Sequence, residues 1–91
     1  MNTIKLVKYG AVLTGREFGS DVAVTLLESS KFPVTVDFTG VEVLGSSFGD
    51  EVIPALASKQ GNTIKVLNAN NEVQATLRDV AFDAKIKIEL I

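Results

Sequence analysis

The stretch Val34-Thr35-Val36-Asp37-Phe38-Thr39-Gly40-Val41-Glu42-Val43-Leu44-Gly45-Ser46-Ser47-Phe48-Gly49-Asp50-Glu51 decides the fold. Its first part alternates, with Val34, Val36 and Phe38 against Thr35 and Asp37, the period of a strand with one covered face. Thr39-Gly40 turns the chain. Val41, Val43 and Leu44 then lead into Gly45-Ser46-Ser47, after which Phe48, Val52 and Leu56 recur four apart and predict a helix. A strand therefore delivers a pair of serines to a helix start. Pro54 lies inside that helix, removes a backbone donor, and is expected to kink or divide it.

The same alternation of periods continues outward in both directions. Upstream, Thr3 to Tyr9 reads as a strand and Gly10 breaks it, with Ala11-Val12-Leu13 as a short return strand closing a hairpin. Thr14 with Glu17 has the spacing of a capping box, opening a helix marked by Phe18, Val22 and Leu26 beside Ala23 and Leu27. Gly19 within it weakens that helix by about 1 kcal/mol relative to alanine. Ser29-Ser30-Lys31-Phe32-Pro33 ends it. Downstream, Gly61-Asn62 closes the central helix and Thr63 to Asn68 is a strand with Ile64 and Val66 on one face. Asn71 with Gln74 is the next cap, for a helix burying Val73, Leu77 and Val80. Lys85-Ile86-Lys87-Ile88-Glu89-Leu90-Ile91 alternates as a last strand. The chain reads as having no linker, low-complexity segment or internal repeat.

Helices between successive strands imply right-handed crossovers and parallel pairing. The fold class that follows is α/β: a mixed, mostly parallel sheet of four to five strands, with three helices mainly on one face. The strands carry Thr35, Asp37, Lys65, Lys85 and Lys87 on one side, whereas a parallel sheet covered on both faces shows near-continuous apolar strands. One sheet face is thus expected to be open to solvent or to a partner.

Composition narrows the function. Ninety-one residues make one domain, spanning 1–91, with a hydrophobic fraction of 46% that supports a globular core. The net charge of −2 supplies no broad positive field, which argues against nucleic acid as the main partner. No cysteine and no histidine occur, so disulfides, thiolate nucleophiles, the commonest general base and the commonest metal ligand are all lacking. Neither a metal site nor a cofactor is expected. The N-terminal residues lack the basic and apolar regions of a signal peptide, and no apolar run reaches bilayer length. The expectation is a cytoplasmic protein with no membrane partner.

Enzymatic readings fare poorly. A serine nucleophile would need Lys59, Lys31 or a carboxylate as its base. Gly45-Ser46-Ser47-Phe48-Gly49 has the Gly-x-Ser-x-Gly form of a nucleophile elbow, but that motif requires a histidine partner. No Walker or Rossmann glycine loop is present.

The segment from Val34 to Val41, followed by Ser46-Ser47-Phe48-Gly49-Asp50-Glu51, resembles the STAS-like domain of unknown function of bacteria and phages. In that family a strand ending in Asp-Phe, a Gly-Val turn and a Ser-Phe-small-acidic-Glu helix start recur. More distantly, the chain is similar to the STAS domains of anti-sigma factor antagonists. The order of elements matches over roughly residues 3–91, and the specific motif covers 34–51. In the antagonists an Asp-Ser-Ser/Thr-Gly turn opens the helix, and its second hydroxyl residue is phosphorylated by a partner kinase that also binds the sigma factor. Ser47 matches that position, while Gly45 replaces the aspartate and Phe48 the glycine. The resemblance implies a regulatory protein-interaction module, with an anti-sigma-like ATPase or kinase as partner.

The residues themselves support two readings of the turn. Ser46 and Ser47 can serve as helix caps, and Ser47 with Asp50 has capping-box spacing. They can also form a contact or phosphorylation site together with Phe48 and Asp50, supported by Asp37, Gly45 and Glu51. A helix start tolerates added negative charge, whereas Asp50 and Glu51 would repel a phosphate. Alternatively, the turn's backbone N–H groups form a nest for a small anionic ligand or nucleotide. Asp37 is read as a solvated outward residue or as an acceptor for the Thr39-Gly40 backbone, with a ligand site near the strand ends as its functional alternative. Asp50-Glu51 reads as first-turn charge rather than a cation site. Assembly into a homo-oligomer, through the open sheet face or an edge, is a further expectation.

Overall fold

The structure, a computed structural model, describes residues 2–91. The chain runs through β1 (Asn2–Lys5), a 3-10 turn (Leu6–Tyr9), β2 (Val12–Leu13), α1 (Arg16–Ser29), β3 (Val34–Asp37) and β4 (Val43–Leu44). It continues through α2 (Ser46–Ser58), β5 (Thr63–Leu67), α3 (Asn71–Ala84) and β6 (Lys87–Leu90). The main sheet is parallel throughout, in the order β1-β3-β5-β6. Because that order advances in one direction, right-handed crossovers put all three helices on one face. There α2 packs between α1 and α3.

Register explains the core. Ile4 stands beside Val36, Val36 beside Val66, and Ile64 beside Ile88, so one apolar row follows another beneath the helices. Phe38, Phe48, Leu26, Val52, Leu56, Leu77 and Val80 close over these rows, all buried. The opposite face carries no helix and is open except along β3. Thr3, Lys5, Lys65 and Lys87 are exposed there, but Thr35 and Asp37 are buried. They lie on an inner strand, with Thr3 and Lys65 flanking Thr35, and Lys5 and Leu67 flanking Asp37. The expected solvated position of Asp37 is therefore corrected.

Several local expectations shift as well. β2 forms no hairpin with β1, because the 3-10 turn and Gly10 (φ 132°) carry the chain onward. It pairs instead in parallel with β4, Val12 beside Val43 and Leu13 beside Leu44. Helix α1 starts one residue after Gly15 with no side-chain cap, so Thr14 and Glu17 form no capping box. Thr14 packs against Gly45, where an added Cβ would lie 3.0 Å from the Thr14 methyl. Helix α2 passes through Pro54 unbroken. The cap of α3 is Asn70, not Asn71: its side-chain oxygen accepts from the Val73 N–H at 2.8 Å. Lys85 is the left-handed cap of α3 (φ 57°), so the last strand begins beyond it.

A repeat is also present, which corrects the expectation of none. Gly10, Gly15, Phe18, Gly19, Val22 and Leu26 return at one constant offset as Gly40, Gly45, Phe48, Gly49, Val52 and Leu56. They occupy equivalent places in two consecutive units, β1-β2-α1 and β3-β4-α2. The shared residues fall on turns and on the helix interface, where geometry demands them. Gly10 and Gly40 both take positive φ, at 132° and 83°, as the chain leaves each strand end. The strands themselves share only an apolar period and pair at a different offset, Asn2 beside Val34, which hides the repeat from a strand-by-strand reading.

Candidate functional site

The serine turn sits at the C-terminal ends of the strands and is held from both sides. On one side the Glu42 and Val43 N–H groups donate to the Ala11 carbonyl at 2.7 and 3.1 Å, and the Gly45 N–H donates to Leu13 at 2.8 Å. On the other, the Asn70 side-chain amide donates to the Glu42 carbonyl at 3.1 Å while its oxygen caps α3. The two short parallel strands and the α3 cap thus fix where α2 begins.

Within the turn, Gly45 is the extended N-cap residue and no side-chain cap bond forms. Ser46 and Ser47 belong to the first helical turn, so neither acts as the cap that their spacing suggests. Ser46 is exposed; Ser47, Asp50 and Glu51 are half-buried. Helical spacing puts Ser47, Asp50 and Glu51 on one side of α2. Arg16, from the start of α1, donates to the Glu51 carboxylate at 2.9 Å. The two helix starts are therefore bridged by one partly exposed ion pair next to the serines.

Phe48 is 0% exposed, with its ring centroid 5.3 Å from that of Phe18. Its side chain packs the α1–α2 interface and leaves surface contact to its neighbours. Those neighbours include apolar groups that the sequence reading passed over: Val12, Val43 and Phe18 are all exposed at this end of the molecule. Their signal was the pairing of β2 with β4, which puts Val12 beside Val43. That pairing joins segments remote in sequence.

Asp37 lies at the end of β3 in a closed hydrogen-bond set. One carboxylate oxygen accepts from the Thr39 hydroxyl at 2.6 Å, the Thr39 N–H at 2.9 Å and the Asn68 amide at 3.1 Å. The Thr39 hydroxyl foremost, then its N–H and Asn68, with Lys5 adding positive charge, lower the Asp37 pKa from its usual value against a smaller opposing effect of burial. The carboxylate stabilises the turn, as the acceptor reading proposed. It also ties that turn to Asn68, which takes positive φ (59°) after β5.

A depression of about 180 Å³ lies at the opposite ends of β3 and β5, lined by Pro33, Thr35, Gln60, Thr63 and Lys65. Gln60 is committed there as a clamp: it accepts from the Val34 N–H at 2.8 Å and donates to the Val34 and Thr63 carbonyls. Among the described residues no group of acidic side chains is arranged to hold a metal ion, and no helix is long and apolar enough to cross a membrane.

A four-stranded parallel sheet with three helices on one face, and a hydroxyl-bearing helix start at its rim, is consistent with a STAS-like fold. The family model for the STAS-like domain of unknown function (DUF4325) matches residues 15–74, and the chain belongs to that family. No curated protein and no solved structure matches the chain.

Proposed function

We propose that this chain is a non-enzymatic regulatory module that binds another protein through the rim around Ser46 and Ser47, and that phosphorylation of Ser47 switches the contact. The observation carrying this reading is the uncapped first turn of α2, whose two serines stand at the same end as the exposed Val12, Val43 and Phe18. Apolar side chains rimmed by polar groups are what a protein partner covers.

The electrostatics suit a switch. A phosphate on Ser47 brings about −1.5 to −2 charge to the positive end of the helix, where it is tolerated. It would stand one turn from Glu51 and compete with that carboxylate for the Arg16 guanidinium. Repulsion from Asp50 and Glu51 then redistributes charge across the rim while Phe48 and the core stay in place. The partner class is an anti-sigma-like ATPase or kinase, taken from the distant resemblance of the turn to anti-sigma factor antagonists. Affinity capture with wild type, Ser47→Ala and Ser47→Asp tests the switch. Retention of one partner by wild type and Ser47→Ala, with its loss on Ser47→Asp, is expected. Equal affinity for all three abolishes the switch.

A further inference from the structure

We propose that a second copy of this chain pairs antiparallel through the edge strand β6, about a twofold axis passing at Ile88. β6 is the last strand of the sheet. On its inner side the Lys87 and Ile91 N–H groups donate to the Asn62 and Val66 carbonyls, each at 2.9 Å. Peptide groups alternate sides along a strand, so Ile88 and Leu90 turn their N–H and C=O groups outward, the condition for adding another strand.

The charges select both partner and register. With the twofold axis at Ile88, Lys87 of each copy stands opposite Glu89 of the other, and both residues are exposed on the open sheet face. Moving the axis one residue either way sets Lys87 against Lys87 or Glu89 against Glu89, which disfavours those registers. The same centre puts Ile86 opposite Leu90 and Ile88 opposite Ile88 on the helix side. There Leu77, Ala81, Ile88 and Leu90, with Gln74 and Arg78 at its margin, line a mainly apolar groove between α3 and β6. Leu90 is 45% exposed in the single chain and gains cover from the second copy. Lys65, beside Glu89 in the sheet, extends the alternation of charge across the junction.

The other edge is built differently. Lys5, Lys8 and Lys31 gather beside β1, with no carboxylate among the residues of that depression. Two such edges repel, and lysine at an edge is a common guard against strand addition. The assembly therefore closes at two copies rather than growing from both sides.

Sedimentation of the purified chain over a range of concentrations tests this. The expected result is a monomer–dimer equilibrium that Lys87→Glu and Glu89→Lys each weaken about tenfold, since each reversal turns both symmetry-related pairs repulsive. The double variant Lys87→Glu/Glu89→Lys restores the pairing. All these positions are exposed, and circular dichroism checks that each variant folds. A monomer at every concentration, a dimer indifferent to the reversals, a double variant no stronger than the singles, or growth beyond two copies overturns the proposal.

Discussion

The two repeated units, β1-β2-α1 and β3-β4-α2, share a frame and differ in what they do with it. Both place Phe and Gly consecutively in the first turns of their helices, Phe18-Gly19 and Phe48-Gly49. In both, the glycine faces the next helix. A Cβ on Gly19 would come within 2.9 Å of the Phe48 Cα and carbonyl oxygen, whereas the nearest atom to one on Gly49 is the Val80 Cγ2, at 3.2 Å. Gly19 stands there despite its cost in helix propensity because α1 and α2 approach backbone to backbone at that point. Phe18 is 39% exposed and Phe48 0%, since the second helix is central and the first is flanked on one side only. What varies is the first turn itself, Arg16-Glu17 against Ser46-Ser47. The repeat holds the packing constant while the first turn varies.

Substitutions can break this comparison. Phe48→Ala should destabilise by about 3–5 kcal/mol in urea unfolding, and Phe18→Ala by only about 1–2 kcal/mol. Equal losses would mean that the two rings are equally buried. Gly19→Ala should cost about 1–3 kcal/mol by overpacking, even though alanine favours the helix by about 1 kcal/mol. Gly49→Ala should stay within about 1 kcal/mol, because a valine methyl yields more easily than backbone. A smaller loss at Gly19 than at Gly49 would contradict the close approach of α1 and α2.

The strand ends offer a finer contrast, since a 3-10 turn follows β1 whereas Asp37 organises the turn after β3. The Asp37 pKa is lowered in the folded state, so its contribution to stability is complete above the ordinary value of 3.8. It is lost as pH falls through the folded value. Thermal unfolding from neutral pH into that acid range should show Asp37→Asn less stable than wild type at neutrality, with the gap narrowing as acid protonates the carboxylate. A gap unchanged by acid would show that Asp37 does not act through its charge. The smallest effect belongs to the bridge between helix starts. Arg16→Ala should change stability by about 0.5 kcal/mol or less, because the ion pair is largely solvated.

Much of the frame was legible along the chain. The alternation in Val34–Phe38 and the four-residue spacing of Phe48, Val52 and Leu56 define local structure from local sequence. The parallel order of the main strands follows from the helices between them. What could not be read locally depends on distant partners. The pairing of β2 with β4 joins segments separated by all of α1, and Val12-Leu13 carries no mark of direction. Asp37 became buried because its neighbours come from β1 and β5. Asn70 displaced Asn71 as a cap because its amide also reaches the Glu42 carbonyl, a contact that Asn71 does not share. At the candidate site the position of the serines was readable, but their relation to Arg16, Val12 and Phe18 required the two units to stand side by side.

The first turn of α2, and not its counterpart in α1, is the proposed seat of the regulated contact. Quantitative partner capture with Ser47→Asp and with Glu17→Ala, at equivalent positions of the two units, tests it most directly. Loss of the partner on Ser47→Asp with full retention on Glu17→Ala is the predicted result. Full retention by both variants, or equal loss from both, would contradict it.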